Sequence, residues 1–135
     1  DPKPFELGKG EILKESKKIM LIGYGNGVGR AWQVMKQLQK EGIDVGVLDL
    51  KFIKPLDIQT LKNLEADRWF VFSDTAKIGG VAETLQSFSN EYSLNKKIIS
   101  FEFEDKFIPH GDTKDIEKLL KVDIDSLVER VKRSL

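Results

Sequence analysis

Three groups of residues in this chain could do chemistry. The first is the run Gly23-Tyr24-Gly25-Asn26-Gly27-Val28-Gly29, with Asp49 further along. Dinucleotide-binding turns need glycine at three places: the turn itself, the approach of the pyrophosphate, and the packing of helix on strand. Counted from Gly23 and Gly25, the third glycine falls on Val28; counted from Gly25 and Gly27, it falls on Arg30. Neither register is met. Gly23, Gly25 and Gly29 make a looser spacing, and Asp49 lies about 20 residues on, where a ribose-binding acid would sit. The other reading is a tight bend. Its free N–H groups around Gly25, Asn26 and Gly27 would hold a carboxylate or small anion at a helix start, or pack against a partner.

The second group is Ser73-Asp74-Thr75, at the end of an apolar run. Open α/β sheets place ligands at the carboxyl ends of their strands, but these residue types also form turns that cap the next helix. The third group is His110, the single histidine, near Asp105 and Asp112 in sequence. A general base needs a nucleophile and an orienting partner, and no G-x-S-x-G elbow is present to supply a serine. A loop hydrogen bond or an interface contact beside Gly111 is the expected role. With one histidine and no cysteine, a transition-metal site lacks its usual ligands. No catalytic, cofactor or metal residue is therefore assigned. Gly25, Asn26, Gly27, Ser73, Asp74 and His110 are the candidates for an interface or an anion-binding turn.

The elements that position these groups follow from periodicity. Ile19–Ile22 is continuously apolar, as in a strand covered on both faces. Val28, Ala31, Trp32, Met35 and Leu38 recur at helical spacing, which places Trp32 in the core, and Gly42 closes the helix. Val45–Asp49 is the next strand. A helix between two buried strands requires a right-handed crossover and a parallel pair. Asp57 is an N-cap for a helix whose stripe is Ile58, Leu61 and Leu64. Trp69–Phe72 and Ile98–Phe101, the latter open to extension as far as Phe103, are further strands, separated by a helix carrying Val81, Ala82, Leu85 and Phe88. Asp112 and Asp115 form a capping box of sorts for a short helix bearing Ile116, Leu119 and Leu120. Asp123 caps a separate last helix bearing Ile124, Leu127, Val128 and Val131. Glu11–Glu15 is a short edge strand. The expected class is α/β: a three-layer α/β/α sandwich with a mostly parallel sheet, residues 1–10 being a lead-in and 11–135 one domain.

The totals agree with one domain of 135 residues, 40% of them hydrophobic. Lys+Arg and Asp+Glu both number 22, so no global field draws the chain to nucleic acid or anionic lipid. Apolar runs are too short to cross a bilayer, and no secretory signal is expected. The lack of cysteine is compatible with a reducing cytoplasm, the expected location. The chain starts Asp1-Pro2-Lys3-Pro4 without methionine. This reads as a linker, and the expectation is a domain cut from a longer protein.

Several stretches come in an order shared with one family. They are Pro4-Phe-Glu-Leu-Gly-Lys-Gly-Glu-Ile-Leu13, Gly23-Tyr-Gly25, Asp49-Leu-Lys-Phe-Ile-Lys-Pro-Leu-Asp57, Gly79-Gly80 and Asp105-Lys-Phe-Ile-Pro-His-Gly111. Over nearly the whole chain they resemble the C-terminal domain of the 1-deoxy-D-xylulose-5-phosphate synthases, in the transketolase-like, thiamine-diphosphate-dependent family. The last stretch is the specific one; it separates these synthases from transketolase proper and from 2-oxoacid dehydrogenase β subunits. The synthases usually carry two glutamates and an asparagine where this chain has Ser73, Asp74 and Thr75. The resemblance implies a three-domain parent whose first two domains hold thiamine diphosphate and magnesium. There pyruvate is decarboxylated and its two-carbon unit joined to glyceraldehyde 3-phosphate. The C-terminal domain is implied to brace the other two domains and a homodimer, to carry no cofactor itself, and to be inactive alone. Two other readings stay open: a free-standing Rossmann-like nucleotide- or phosphate-binding module, and an interaction subunit of a split thiamine enzyme.

Overall fold

The computed structural model describes residues 7–74, 80–103 and 113–135, with side chains described in these ranges except at 74, 102, 103 and 113–122. The order of elements is β1 (Glu11–Lys14), β2 (Ile19–Gly23), α1 (Gly27–Lys40), β3 (Gly46–Asp49), α2 (Ile58–Lys62), β4 (Arg68–Asp74), α3 (Val81–Glu91), β5 (Lys97–Phe103) and α4 (Thr113–Arg133). The five strands form one sheet in the order β1-β3-β2-β4-β5. Among the described strands only β1 is antiparallel; it pairs with β3 through an irregularity between Ile12 and Lys14. The β2–β3, β2–β4 and β4–β5 pairs are parallel. The expected α/β/α sandwich with a mostly parallel sheet is therefore what forms.

Strand side chains alternate faces, so every central strand feeds two cores. Ile19, Leu21, Val47, Phe70, Phe72 and Phe101 meet α1 and α4 through Ala31, Val34, Met35, Leu38, Leu127, Val128 and Val131. Met20, Ile22, Leu48, Leu50, Trp69 and Val71 meet the α2 and α3 side through Leu61, Leu64, Val81, Leu85 and Phe88. Trp69 is wholly buried and loses nothing by it, because its indole N–H donates to the Ala66 carbonyl at 3.0 Å. Lys96 straps the same corner, donating to the Leu64 and Ala66 carbonyls at 2.9 and 2.8 Å. Burial lowers its pKa, and Asp67 partly opposes this.

Four sequence expectations are corrected here. Trp32 is not core; it is 36% exposed. The stripe of α1 that meets the sheet is Ala31, Val34, Met35 and Leu38, and Trp32 is turned about 100° around the helix from Ala31. Ile58 is 42% exposed, because α2 is a helix of only 5 residues. Leu64, buried as expected, lies beyond that helix. Finally, the two C-terminal helices are one, Thr113–Arg133, of 21 residues. No glycine or proline interrupts that stretch, and the two apolar series are in phase at i, i+4 spacing. Asp123 is therefore inside the helix rather than at its cap, and its carboxylate accepts from Arg30 Nε at 2.8 Å, tying α4 to α1.

Candidate functional site

The candidates at the glycine turn and at Ser73-Asp74 meet at the carboxyl edge of the sheet. Gly23 is in register with both Asp49 and Phe72. The turn after it is held from both sides: Tyr24 N–H donates to the Phe72 carbonyl at 3.1 Å, and Leu50 N–H to the Gly23 carbonyl at 2.9 Å. Gly25 sits at φ 59°, a conformation that glycine adopts without penalty. Asn26 starts α1 without capping it through its side chain.

The glycines serve the chain's own packing. A Cβ at Gly27 would come within 1.9 Å of the Phe72 carbonyl oxygen, and one at Gly23 within 2.5 Å of Val28 Cα. The strand end and the helix start are thus pressed together. The Gly27 and Val28 amides, which an anion would use, donate instead to the Tyr24 and Gly25 carbonyls at 3.1 and 3.2 Å. Gly25 and Asn26 are exposed and Gly27 is buried. Gly25 and Asn26 are therefore the part of the turn that another molecule can reach.

Asp49 is also used locally. Its carboxylate accepts from the Lys51 amide at 3.2 Å where Lys51 takes φ 61°. Burial raises its pKa; the Lys51 charge and amide oppose this, and Glu11 reinforces it. In register it faces Glu11 of β1. Ser73 is 3% exposed, so its hydroxyl is not presented to solvent. Asp74 is the last residue of β4; its side chain, and all of Thr75, Gly79 and His110, lie outside the described residues. Gly80 precedes α3 in the left-handed region at φ 95° and supplies no capping side chain.

Asp57 does more than its sequence role. As foreseen, it caps α2, accepting from Thr60 N–H at 3.1 Å and Thr60 Oγ1 at 2.6 Å. It also accepts from Gly10 N–H at 2.8 Å, which fastens Gly10 to the start of α2 across 47 residues. Burial raises its pKa, but the hydrogen bonds from Thr60 and Gly10 outweigh this and leave it lowered. Periodicity shows no sign of that long-range bond.

Nor does periodicity show a groove of about 330 Å³ lined by Leu56, Ile58, Thr84, Ser87, Phe88, Glu91 and Tyr92. The one available signal is the pair of apolar residues flanking Asp57. Among the described residues no group of three or more His, Cys, Asp or Glu side chains could hold a metal ion. In the glycine turn the Gly27 and Val28 amides are already taken by the Tyr24 and Gly25 carbonyls, so they are not offered to the diphosphate of thiamine diphosphate. Among the described residues no helix is long and apolar enough to cross a membrane.

Comparison with known proteins supplies what the geometry does not. Residues 8–127 match the family described as transketolase, C-terminal domain. The chain is 49% identical over 98% of its length to the 1-deoxy-D-xylulose-5-phosphate synthase of Nitratiruptor sp.. It is 44% identical over its whole length to the protein of that name from Helicobacter pylori. It spans only 21% and 22% of those relatives. Among solved structures, a split-gene transketolase described as an inactive beta4 tetramer superposes with TM-score 0.66 at 23% identity, over 93% of this chain and 42% of that one. That likeness speaks for the fold. The family match over most of the chain, on a parallel sheet of this order, means that the chain belongs to the transketolase C-terminal domain family.

Proposed function

We propose that this chain is the C-terminal, non-catalytic domain of a 1-deoxy-D-xylulose-5-phosphate synthase. The longer enzyme would condense pyruvate with glyceraldehyde 3-phosphate, releasing carbon dioxide and forming 1-deoxyxylulose 5-phosphate. The observation that carries this is the identity, spread over almost the whole chain, to relatives of that name. Thiamine diphosphate and magnesium would be held by domains outside this chain. The role left to this domain is mechanical: it braces the catalytic domains and supports a homodimer in the cytoplasm. A glycine turn satisfied by its own carbonyls and a buried Ser73 support a packing role over a catalytic one. Gly25, Asn26 and Asp74 are then interface positions, as is His110. The folded unit would be 11–135, with residues 1–10 as the lead-in.

The test is direct. The purified chain, given thiamine diphosphate, magnesium, pyruvate and glyceraldehyde 3-phosphate, forms no product, whereas the longer gene product does. Product from the short chain would overturn the assignment. A second reading, a subunit of a split thiamine enzyme, is favoured only by the structural neighbour being a split-gene transketolase. The upstream coding sequence distinguishes the two. In the first case it continues into thiamine-binding domains; in the second it does not.

A further inference from the structure

Apolar surface is left over on one face of this domain. On the α1 side, the sheet is covered by helices of 14 and 21 residues. On the other side the layer is shorter, made of α2 with 5 residues and α3 with 11. The gap beside α2 is the groove between Leu56 and Ile58 on one wall and Phe88 and Tyr92 on the other. Ile58 is 42% exposed there.

The N-terminal polypeptide arrives at the same place. Gly8 lies on Pro55, so close that a Cβ would stand 2.8 Å from Pro55 Cγ. Gly10 N–H is bonded to Asp57, the residue between the two groove-lining side chains Leu56 and Ile58. Leu7, the first described residue, is 73% exposed. Whatever precedes Leu7 is thus tethered within a few residues of the groove. A short tether gives an attached segment an effective concentration on the order of millimolar, an advantage that no separate molecule shares.

We propose that the α2–α3 groove docks the upstream portion of the same polypeptide, which inserts an apolar side chain between Ile58 and the Phe88–Tyr92 wall. This rests on the reading of the chain as one domain of a longer enzyme, and it names the surface on which the preceding domain sits. Such a contact buries Ile58 and fills the gap beside α2.

The experiment uses the longer protein. A photoreactive p-benzoylphenylalanine replaces Ser87 in one preparation and Glu91 in another; both residues line the groove and are exposed. Chains grown in light and heavy nitrogen are mixed before illumination, and cross-linked peptides are read by mass spectrometry. The expected result is capture of residues upstream of Leu7 in peptides whose two halves carry the same isotope. Ile58→Asp should lower that yield at least fivefold. Peptides of mixed isotope, which would mean a second copy in the groove, overturn the proposal. So does capture of nothing upstream from either position, or a yield indifferent to Ile58→Asp. A carboligation assay on the unsubstituted protein reads the functional assignment separately. An inactive protein with same-isotope capture sinks the assignment and leaves the docking surface in place.

Discussion

At the scale of single residues, two glycines two positions apart at the start of α1 carry opposite predictions. A Cβ at Gly27 would meet the Phe72 backbone at 1.9 Å, whereas one at Gly29 meets nothing within 4 Å. Gly27→Ala therefore forces β4 and α1 apart and costs more than about 3 kcal/mol, in the range of severe core overpacking. Gly29→Ala, at an ordinary helical φ, stabilises by about 0.5–1 kcal/mol. Urea unfolding of the two variants measures both, and equal effects would refute the close-packed turn. Asp57 and Asp49 form a second contrast. The folded Asp57 carboxyl titrates below its ordinary value. Its contribution is complete above the unfolded pKa of about 3.9 and is lost as pH falls through the folded one. Asp57→Ala is expected to cost about 1–2 kcal/mol at neutral pH, the usual loss for a cap, with the deficit narrowing in acid. Asp49 is shifted upward, chiefly by burial, so its ionised form weighs against folding at neutral pH. Asp49→Asn keeps an acceptor for the Lys51 amide and should change stability by no more than about 0.5 kcal/mol. Denaturation curves at neutral and acidic pH test the pair.

At the scale of elements, α4 joins the α1-side layer into one unit. Leu127, Val128 and Val131 are buried against the sheet and α1, Arg130 lies over the Phe101 ring at 4.6 Å, and Lys132 reaches Glu41 at 2.7 Å. Leu127→Ala should cost about 2–5 kcal/mol, as for other buried leucines. Asp123→Ala, which removes a half-exposed pair with Arg30, should cost no more than about 1 kcal/mol. Thermal unfolding would rank the two; a reversed rank would mean that ion pairs rather than burial hold α4. The element-level misreadings share one cause. Helix phase in a sequence shows that a stripe exists, but its centre is set by what it packs on. Hence phase alone places Trp32 inward and Ile58 in the core, where neither lies. The same blindness split α4, since an aspartate at 123 looks like a cap until Arg30, 93 residues away, is seen to hold it.

At the scale of the whole molecule, the proposed function is support, so ligand binding by the free domain is expected to be absent. A thermal shift with NADP, ATP and inorganic phosphate should show no saturable rise, because only a ligand that prefers the native state raises the midpoint. A saturable shift with phosphate would reinstate the anion-binding turn at Gly25–Gly27.

The class of the fold was legible from Ile19 to Leu50. A buried strand, a glycine turn, an amphipathic helix and a second buried strand leave one handed way to close, and that constraint is local. Family membership was legible for a similar reason, since motifs such as Phe52-Ile-Lys-Pro-Leu-Asp57 survive as unbroken strings. Tertiary structure alone decided what each glycine is for, because the atom that forbids a side chain at Gly27 belongs to a strand 45 residues on. It also decided that Gly10 is bonded to Asp57 and that an apolar groove opens beside it. Both depend on distances between segments remote in sequence, and no spacing along a chain encodes those.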